Sequence, residues 1–218
     1  MELNKLYCEN CLETLANMPD KSCDVFTDPP YNVGMNYGEG VNDKMNEGEY
    51  ISFITEVLKE CKRVANVFIC YVPKKWNLLY WNILGPDYQE IILPNRILNS
   101  FYHGFVNRYN KLLTNAKPEK IKQISNVWEN MAMPGTGYYF REETYSHPGY
   151  TSLAITTRAI MQLTKSDIIY DPFSGTGTTA IAAIKCNRDF IGSELNSNWI
   201  SIADKRIKAE QQKLTLFI

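Results

Sequence analysis

Short, nearly continuous apolar runs alternate along the chain with longer stretches in which apolar residues recur every three or four positions. The short runs are Cys23-Asp24-Val25-Phe26, Val67-Phe68-Ile69-Cys70-Tyr71-Val72, Ile91-Ile92-Leu93, Ile168-Ile169-Tyr170 and Phe190-Ile191-Gly192-Ser193. Runs of this length suit strands covered on both faces, as in a parallel sheet between helices. The helical pattern falls between them. Leu6 to Met18 reads as a helix with Leu12, Leu15 and Ala16 on one face, ended by Pro19. Glu49 to Ala65 is amphipathic, with Ile51, Ile54, Leu58 and Cys61 at helical spacing. Trp76, Leu79 and Tyr80 mark a short helix, and Ser152 to Leu163, Thr178 to Ile184 and Asn196 to Lys208 mark three more. In the last of these, Trp199, Ile202 and Ala203 are expected to face the core. The alternation predicts an α/β fold: a three-layer sandwich with a mostly parallel, doubly wound, Rossmann-like sheet.

Two places interrupt this pattern with chemistry. The first is Thr27-Asp28-Pro29-Pro30-Tyr31-Asn32, directly after a strand. Neither proline can donate to a ladder, so the strand must stop there. Its end presents a carboxylate (Asp28), a rigid carbonyl (Pro29) and an aromatic ring (Tyr31), where open α/β sheets place ligands. These groups suit methylation of a planar amino group. Two acceptors aimed at the amine N–H groups would draw the nitrogen towards a tetrahedral shape and localise its lone pair. The ring offers a stacking face, worth ~1–3 kcal/mol for a base. The plainer reading is a Pro-Pro turn with an N-capping aspartate, and the motif alone weighs the two evenly.

The second place is Asp171-Pro172-Phe173-Ser174-Gly175-Thr176-Gly177-Thr178-Thr179, which reads strand end, glycine loop, helix start. Gly175 and Gly177 permit tight turning and close approach of backbone to a ligand, and the amides of the following helix point at the site. A phosphate-binding P-loop is excluded by the missing Gly-Lys-Ser/Thr. A dinucleotide fingerprint would want a third glycine where Ala180 stands. Glu194 ends the next strand, ~20 residues past the glycine loop, where an acid can reach ribose hydroxyls.

Together, Asp28-Pro29-Pro30-Tyr31 and Asp171-Pro172-Phe173-x-Gly175-x-Gly177-Thr178-Thr179 resemble the amino-group DNA methyltransferases that use S-adenosylmethionine. The catalytic motif precedes the cofactor motif, which resembles the circularly permuted beta group of that family. The resemblance runs from about Leu6 to about Arg206 and weakens in the middle. It implies Asp28, Pro29, Pro30 and Tyr31 as catalytic residues. It implies a cofactor site made of Asn10, Cys11, Asp28, His147, Thr151, Ser152, Asp171 to Thr179, Glu194 and Leu195, with Glu194 on the ribose and S-adenosylhomocysteine as the product. Departures are visible. Asn10 stands where the family has the aspartate that touches the adenosyl end, and an amide can still bond an adenine edge. His147-Pro148-Gly149-Tyr150-Thr151-Ser152 replaces the usual His-Pro-Thr-Gln-Lys-Pro, and backbone and hydroxyl contacts from Thr151 or Ser152 can substitute for the lysine. Aspartate at the head of the motif is commoner in adenine enzymes, so the 6-amino group of adenine in DNA is the expected target, reached by flipping the base out of the duplex. The alternatives are the 4-amino group of cytosine, an RNA or protein acceptor, or a non-catalytic methyltransferase-like subunit.

Composition narrows the rest. The 218 residues suffice for one domain with a full α/β core. A net charge of −1 means that any basic surface is local. Between Arg96 and Lys122 lie six basic residues (Arg96, Arg108, Lys111, Lys117, Lys120, Lys122) against Glu119, interleaved with Phe101, Tyr102, Phe105 and Tyr109. Such a stretch can contact phosphates and stack bases, or it can be a solvated basic face over aromatic core. The permuted group carries its target-recognition region at this position, so the resemblance implies a small target-recognition insertion at about 95–147 within a single 1–218 domain. The candidate substrate contacts are Asn32, Tyr37, Arg108, Tyr109 and Lys111, and the resemblance implies Tyr109 as a second aromatic near the flipped base. The insertion is short, which argues for limited recognition or for a homodimer sharing the DNA; a cognate restriction enzyme is the other partner expected. After Tyr31, three glycines in a polar loop read as a flap over substrate or as a plain surface loop. Cys8-x-x-Cys11 has no second pair, and His103 and His147 are the sole histidines, so no metal site is expected. Scattered cysteines and the lack of a membrane-length apolar run fit a cytoplasmic protein.

Overall fold

A computed structural model of the chain describes residues 1–38, 43–94, 109–117, 125–128 and 151–215. Seven strands form one sheet: β1 (Lys5–Tyr7), β2 (Cys23–Thr27), β3 (Ala65–Tyr71), β4 (Gln89–Pro94), β5 (Tyr109–Thr114), β6 (Ile168–Asp171) and β7 (Asp189–Ser193). Their order across the sheet is β1-β7-β6-β2-β3-β5-β4. The first five in that order run parallel, and β5 runs antiparallel to both of its neighbours. Six helices cover the faces: α1 (Cys11–Ala16), α2 (Glu47–Val64), α3 (Asn77–Leu84), α4 (Leu153–Leu163), α5 (Thr178–Lys185) and α6 (Ser197–Thr215). The first three pack with Val25, Phe68 and Tyr170 on one face of the sheet. The last three pack with Phe26, Ile69 and Ile169 on the other. This is the expected three-layer sandwich. No described helix is long and apolar enough to cross a membrane.

The central pairing matters most. β2 lies beside β6, with Asp24 opposite Ile169 and Val25 opposite Tyr170. The strand that runs into Asp28 and the strand that runs into the glycine loop therefore end side by side. At the opposite end of this pair, Asp24 is fully buried. Its carboxylate accepts the N–H groups of Val67 (2.8 Å), Lys165 (2.6 Å) and Ser166 (2.7 Å). It stitches the start of β3 and the α4–β6 turn to β2.

Three expectations change. Leu6 to Met18 is not one helix: Leu6 pairs in the edge strand β1, opposite Gly192, and α1 begins only after Asn10. Pairing with β7 overrides local periodicity there. The buried face of α1 is Cys11, Thr14 and Leu15, continuing to Met18, while Ala16 is exposed. In α2 the apolar face turns towards Tyr50, Val57 and Val64, leaving Ile51 at the surface. The segment 95–147 is not wholly an insertion, because β5 lies inside it and buries Leu112 and Leu113 completely between β3 and β4. The polar opening Tyr109-Asn110-Lys111 hides this strand in the sequence.

Replacing Asp24 with Ala strands the buried Val67 N–H and the part-buried N–H groups of Lys165 and Ser166, and a buried group left unsatisfied costs about 1–3 kcal/mol. Urea denaturation should show a loss of at least ~2 kcal/mol; a loss below ~0.5 kcal/mol would contradict this role.

Candidate active site

At the C-terminal ends of β2, β6 and β7 lies a cavity of about 400 Å³, within the usual range for small-molecule sites. It brings together residues from both sequence motifs. Asp28, Pro29, Pro30 and Tyr31 line it, as do Asp171, Pro172, Phe173, Ser174, Gly175, Thr176, Thr178 and Thr179. Asn10, Cys11, Tyr37, Thr151, Glu194 and Leu195, also foreseen from sequence, line it as well. Phe26, Val33, Met35, Asp43, Met45 and Phe53 line it too and had not been singled out.

Asp171 organises the glycine loop. Its carboxylate accepts from the Thr27 hydroxyl at 3.0 Å, from the Phe173 N–H at 3.0 Å and from the Thr179 hydroxyl. The loop then closes on itself. Ser174 donates its N–H to the Ser193 carbonyl (2.9 Å) and its hydroxyl to the Asp171 carbonyl (3.0 Å), and the Gly177 N–H reaches the Ser174 carbonyl (2.8 Å). Arg206 of α6 grips Thr176 by its carbonyl and by its hydroxyl, the latter at 2.9 Å. Glu194 accepts the Gly175 N–H (2.9 Å) on one oxygen and the Asn196 N–H (2.9 Å) on the other. That fixes its carboxylate at the cavity wall with a lone pair to spare on each oxygen.

The catalytic-motif side is held just as firmly. The Tyr31 and Thr151 hydroxyls donate to the two oxygens of Asp28, Thr151 at 3.2 Å. Asp43 is buried and accepts the N–H groups of Tyr31 (3.2 Å), Val33 (3.2 Å) and Met35. The polar loop after Tyr31 is therefore clamped over its described part, not a free flap. Asn32 sits at φ 54° and pairs its amide with both backbone groups of Met45 (2.8 and 3.1 Å). The Tyr37 carbonyl accepts from Asn196 (2.8 Å) and from the Trp199 indole (2.7 Å).

Burial raises the carboxylates of Asp28, Asp171 and Glu194. Desolvation lifts Asp28 to about 6 against the hydrogen bonds from Tyr31 and Thr151, and nearby Asp171 adds to the rise. Asp171 is lifted to about 6 by burial, and Glu194 is raised by the same cause. Burial also pushes the Cys11 thiol up to about 12, so it lines the wall as an inert apolar group.

Several candidates stand elsewhere. Asn32 does not line the cavity, because its amide is spent on Met45. Ser152 is buried as the N-cap of α4, accepting the Ile155 N–H, so Thr151 alone of the pair faces the cavity. Gly177 serves packing: at φ 80° it caps α5, and a Cβ there would come within 2.9 Å of the Ala203 Cβ of α6. Lys111 is tied to Glu90 at 2.6 Å across the β4–β5 pair. Asn10 caps α1, accepting the Leu12 N–H at 3.0 Å, which leaves its amide N–H groups for a ligand. Arg108, His147 and the Tyr109 side chain lie outside the described residues. Gly192 is a residue the sequence reading passed over, although a glycine inside a strand is a sign of close approach. A Cβ on it would meet the Ser174 Oγ at 2.0 Å and Leu6 Cδ2 at 2.6 Å.

Comparison with known proteins matches residues 24–107 and 66–205 to a family model, N6_N4_Mtase, described as DNA methylase. The Type II methyltransferase M.HpaI of Haemophilus parainfluenzae is 28% identical over 94% of this chain and 74% of its own length. The DNA adenine methyltransferase YhdJ of Escherichia coli is 25% identical over 91% of this chain and 80% of its own. Among solved structures, the M1.HpyAVI–SAM complex superposes with a TM-score of 0.66 at 20% identity, covering 93% of this chain and 98% of the other, a likeness of fold.

Two outcomes follow from the geometry. Gly192→Ala should displace Ser174 and cost about 1–3 kcal/mol by overpacking, read by urea denaturation; unchanged stability would contradict the contact. Asp28 titrates near 6 in the folded chain and near 3.9 unfolded. The folded state therefore holds the proton more tightly. Its stability contribution is whole below pH ~4 and is lost as pH rises through about 6. Asp28→Asn removes that penalty and should raise Tm at pH 7.5 by about 2–4 °C, the effect of ~1 kcal/mol in a domain of this size, with little gain at pH 4. A lower Tm at pH 7.5 would contradict it.

Proposed function

Because the chain belongs to the DNA methylase family, we propose that it methylates the 6-amino group of adenine in DNA, with Asp28 and the Pro29 carbonyl as the acceptors that activate the amine. It is an S-adenosylmethionine-dependent DNA methyltransferase. The observation that carries the mechanistic reading is the pairing of acceptors at the cavity. Asp28 keeps a lone pair on each oxygen beyond its bonds to Tyr31 and Thr151. The Pro29 carbonyl accepts from nothing among the described residues, whereas the Pro30 and Tyr31 carbonyls are both engaged.

The cavity's chemistry fits the methyl donor. Its wall combines apolar rings (Phe26, Phe53, Phe173) with the raised carboxylates of Asp28, Asp171 and Glu194, a setting for a ligand with apolar parts and positive charge. When bound, S-adenosylmethionine supplies a sulfonium-activated methyl group and leaves as S-adenosylhomocysteine. In this reading Glu194 holds the ribose hydroxyls, the loop from Pro172 to Thr176 encloses the methionyl end, and Asn10 and Leu195 border the adenosyl end. Tyr31 offers its face to the flipped base. Asp28 and Pro29 accept the two amine N–H groups, and the lone pair attacks the methyl carbon in line as the C–S bond breaks. The extra proton on nitrogen leaves by way of Asp28 to solvent. Positioning supplies most of the rate, since no covalent enzyme intermediate is needed.

Adenine is preferred because Asp28 heads the motif and because a relative over nearly the whole chain is named a DNA adenine methyltransferase. The second reading is the 4-amino group of cytosine, which presents the same two N–H groups and falls within the same family model. The parts of residues 95–147 outside β5, including Arg108, together with Tyr109 at the start of β5, are proposed to recognise the target, and His147 to approach the cofactor. A second copy of the chain sharing the DNA, a cognate restriction enzyme and a cytoplasmic location complete the proposal.

With labelled S-adenosylmethionine and unmethylated DNA, Asp28→Ala should lower single-turnover transfer at least ~100-fold, the scale of losing a key polar contact to the reacting group. Cofactor affinity by calorimetry should change little. Activity of the wild type should fall as pH drops through about 6, where Asp28 protonates. In Tyr31→Phe that acid limb should move to higher pH, since the Tyr31 hydrogen bond holds the Asp28 value down. A wild-type rate in Asp28→Ala would remove the mechanism.

A further inference from the structure

The backbone of Pro30 and Tyr31 has three polar groups, because proline has no N–H. All three are taken by side chains from outside the motif. The Tyr50 hydroxyl, on α2, donates to the Pro30 carbonyl at 2.9 Å. The Trp76 indole N–H, just ahead of α3, donates to the Tyr31 carbonyl at 2.9 Å. Asp43 accepts the Tyr31 N–H at 3.2 Å. Tyr50 and Trp76 brace one another, with ring centroids 4.8 Å apart at 36°, and both are buried.

The geometry of the motif makes these bonds consequential. The Pro29 and Pro30 carbonyls belong to successive peptide planes joined by φ and ψ of Pro30. The planes are stiff, and the ring locks φ. One soft torsion remains, ψ of Pro30, and a hydrogen bond to the Pro30 carbonyl holds it. The direction of the unengaged Pro29 carbonyl relative to Tyr31 is thus set from outside the motif.

We propose that Tyr50, Trp76 and Asp43 are positioning residues for methyl transfer, holding Pro30 and Tyr31 so that the Pro29 carbonyl is aimed at the target amine. The proposal rests on the methyltransferase reading above. It separates from a merely structural role by where the loss appears. A group that only satisfies a buried carbonyl lowers stability and leaves the transfer rate alone. A positioning group lowers the rate of the chemical step and spares ligand binding.

The experiment uses the full chain with unmethylated DNA and S-adenosylmethionine, both saturating. Tyr50→Phe keeps the ring and its stacking on Trp76 and deletes the donor. Its single-turnover rate should fall about 10- to 100-fold, the cost of a small misplacement of reacting groups. Its cofactor Kd and its KM for DNA should stay within about twofold of wild type, against that 10- to 100-fold fall. Trp76→Phe should shift the rate in the same direction. Tyr88→Phe is the control: its hydroxyl is buried in the same core and has no partner among the described residues, so deletion should leave the rate unchanged. A wild-type rate in Tyr50→Phe, an equal loss in Tyr50→Phe and Tyr88→Phe, or a rate loss matched by a loss of cofactor affinity would overturn the proposal. A wild-type chain that binds S-adenosylmethionine and methylates no DNA would instead overturn the functional reading, and this inference with it.

Discussion

The carboxylate of Asp171 is the contact on which the rest of the site depends. It accepts from Thr27 at the end of β2, from the Phe173 N–H inside the glycine loop and from Thr179 in the first turn of α5. Thr27 and Asp171 are 144 positions apart in the chain. Parallel pairing of β2 with β6 brings their ends together, and the hydrogen bond fixes their relative height. Without it, the loop proposed to hold the cofactor and the motif proposed to hold the amine would share a cavity but no common frame. Transfer between two bound molecules needs that frame to within a fraction of an ångström.

The same contact belongs to an electrostatic arrangement that works against stability. Asp28, Asp171 and Glu194 are all raised by burial around one cavity. At neutral pH, above their values of about 6, Asp28 and Asp171 are ionised at a cost to the folded state. A positively charged ligand entering the cavity relieves part of that cost, so binding and ionisation favour each other. Such a cluster is expected where function, not folding, selects the residues.

Much of this was legible in the sequence for a physical reason. Strands in a parallel sheet are apolar on both faces, so β2, β3, β6 and β7 stand out, and a Pro-Pro pair or a glycine loop marks where each useful strand end lies. What was not legible depends on partners far away in the chain. Asp43 looks like an ordinary loop acid until its carboxylate is seen holding Tyr31, Val33 and Met35. Tyr50 was not singled out and Trp76 read only as part of a short helix, and their polar ends matter because Pro30 and Tyr31 lie against them. Gly177 reads as a ligand-approach glycine, yet Ala203 of α6 is what needs the space. The strand β5 was hidden because its pattern is polar at the start and its place in the sheet is set by pairing with β3 and β4. Periodicity reports which face is apolar; it does not report which backbone group a side chain will meet.

In the proposal above, this cavity activates an exocyclic amine of a DNA base for methylation. The most direct test is to incubate unmethylated DNA with the protein and S-adenosylmethionine, digest it to nucleosides and identify them by mass spectrometry. 6-Methyladenine should be present with the wild type and absent with Asp28→Ala. No methylated base in DNA, from a protein that binds the cofactor, would contradict it.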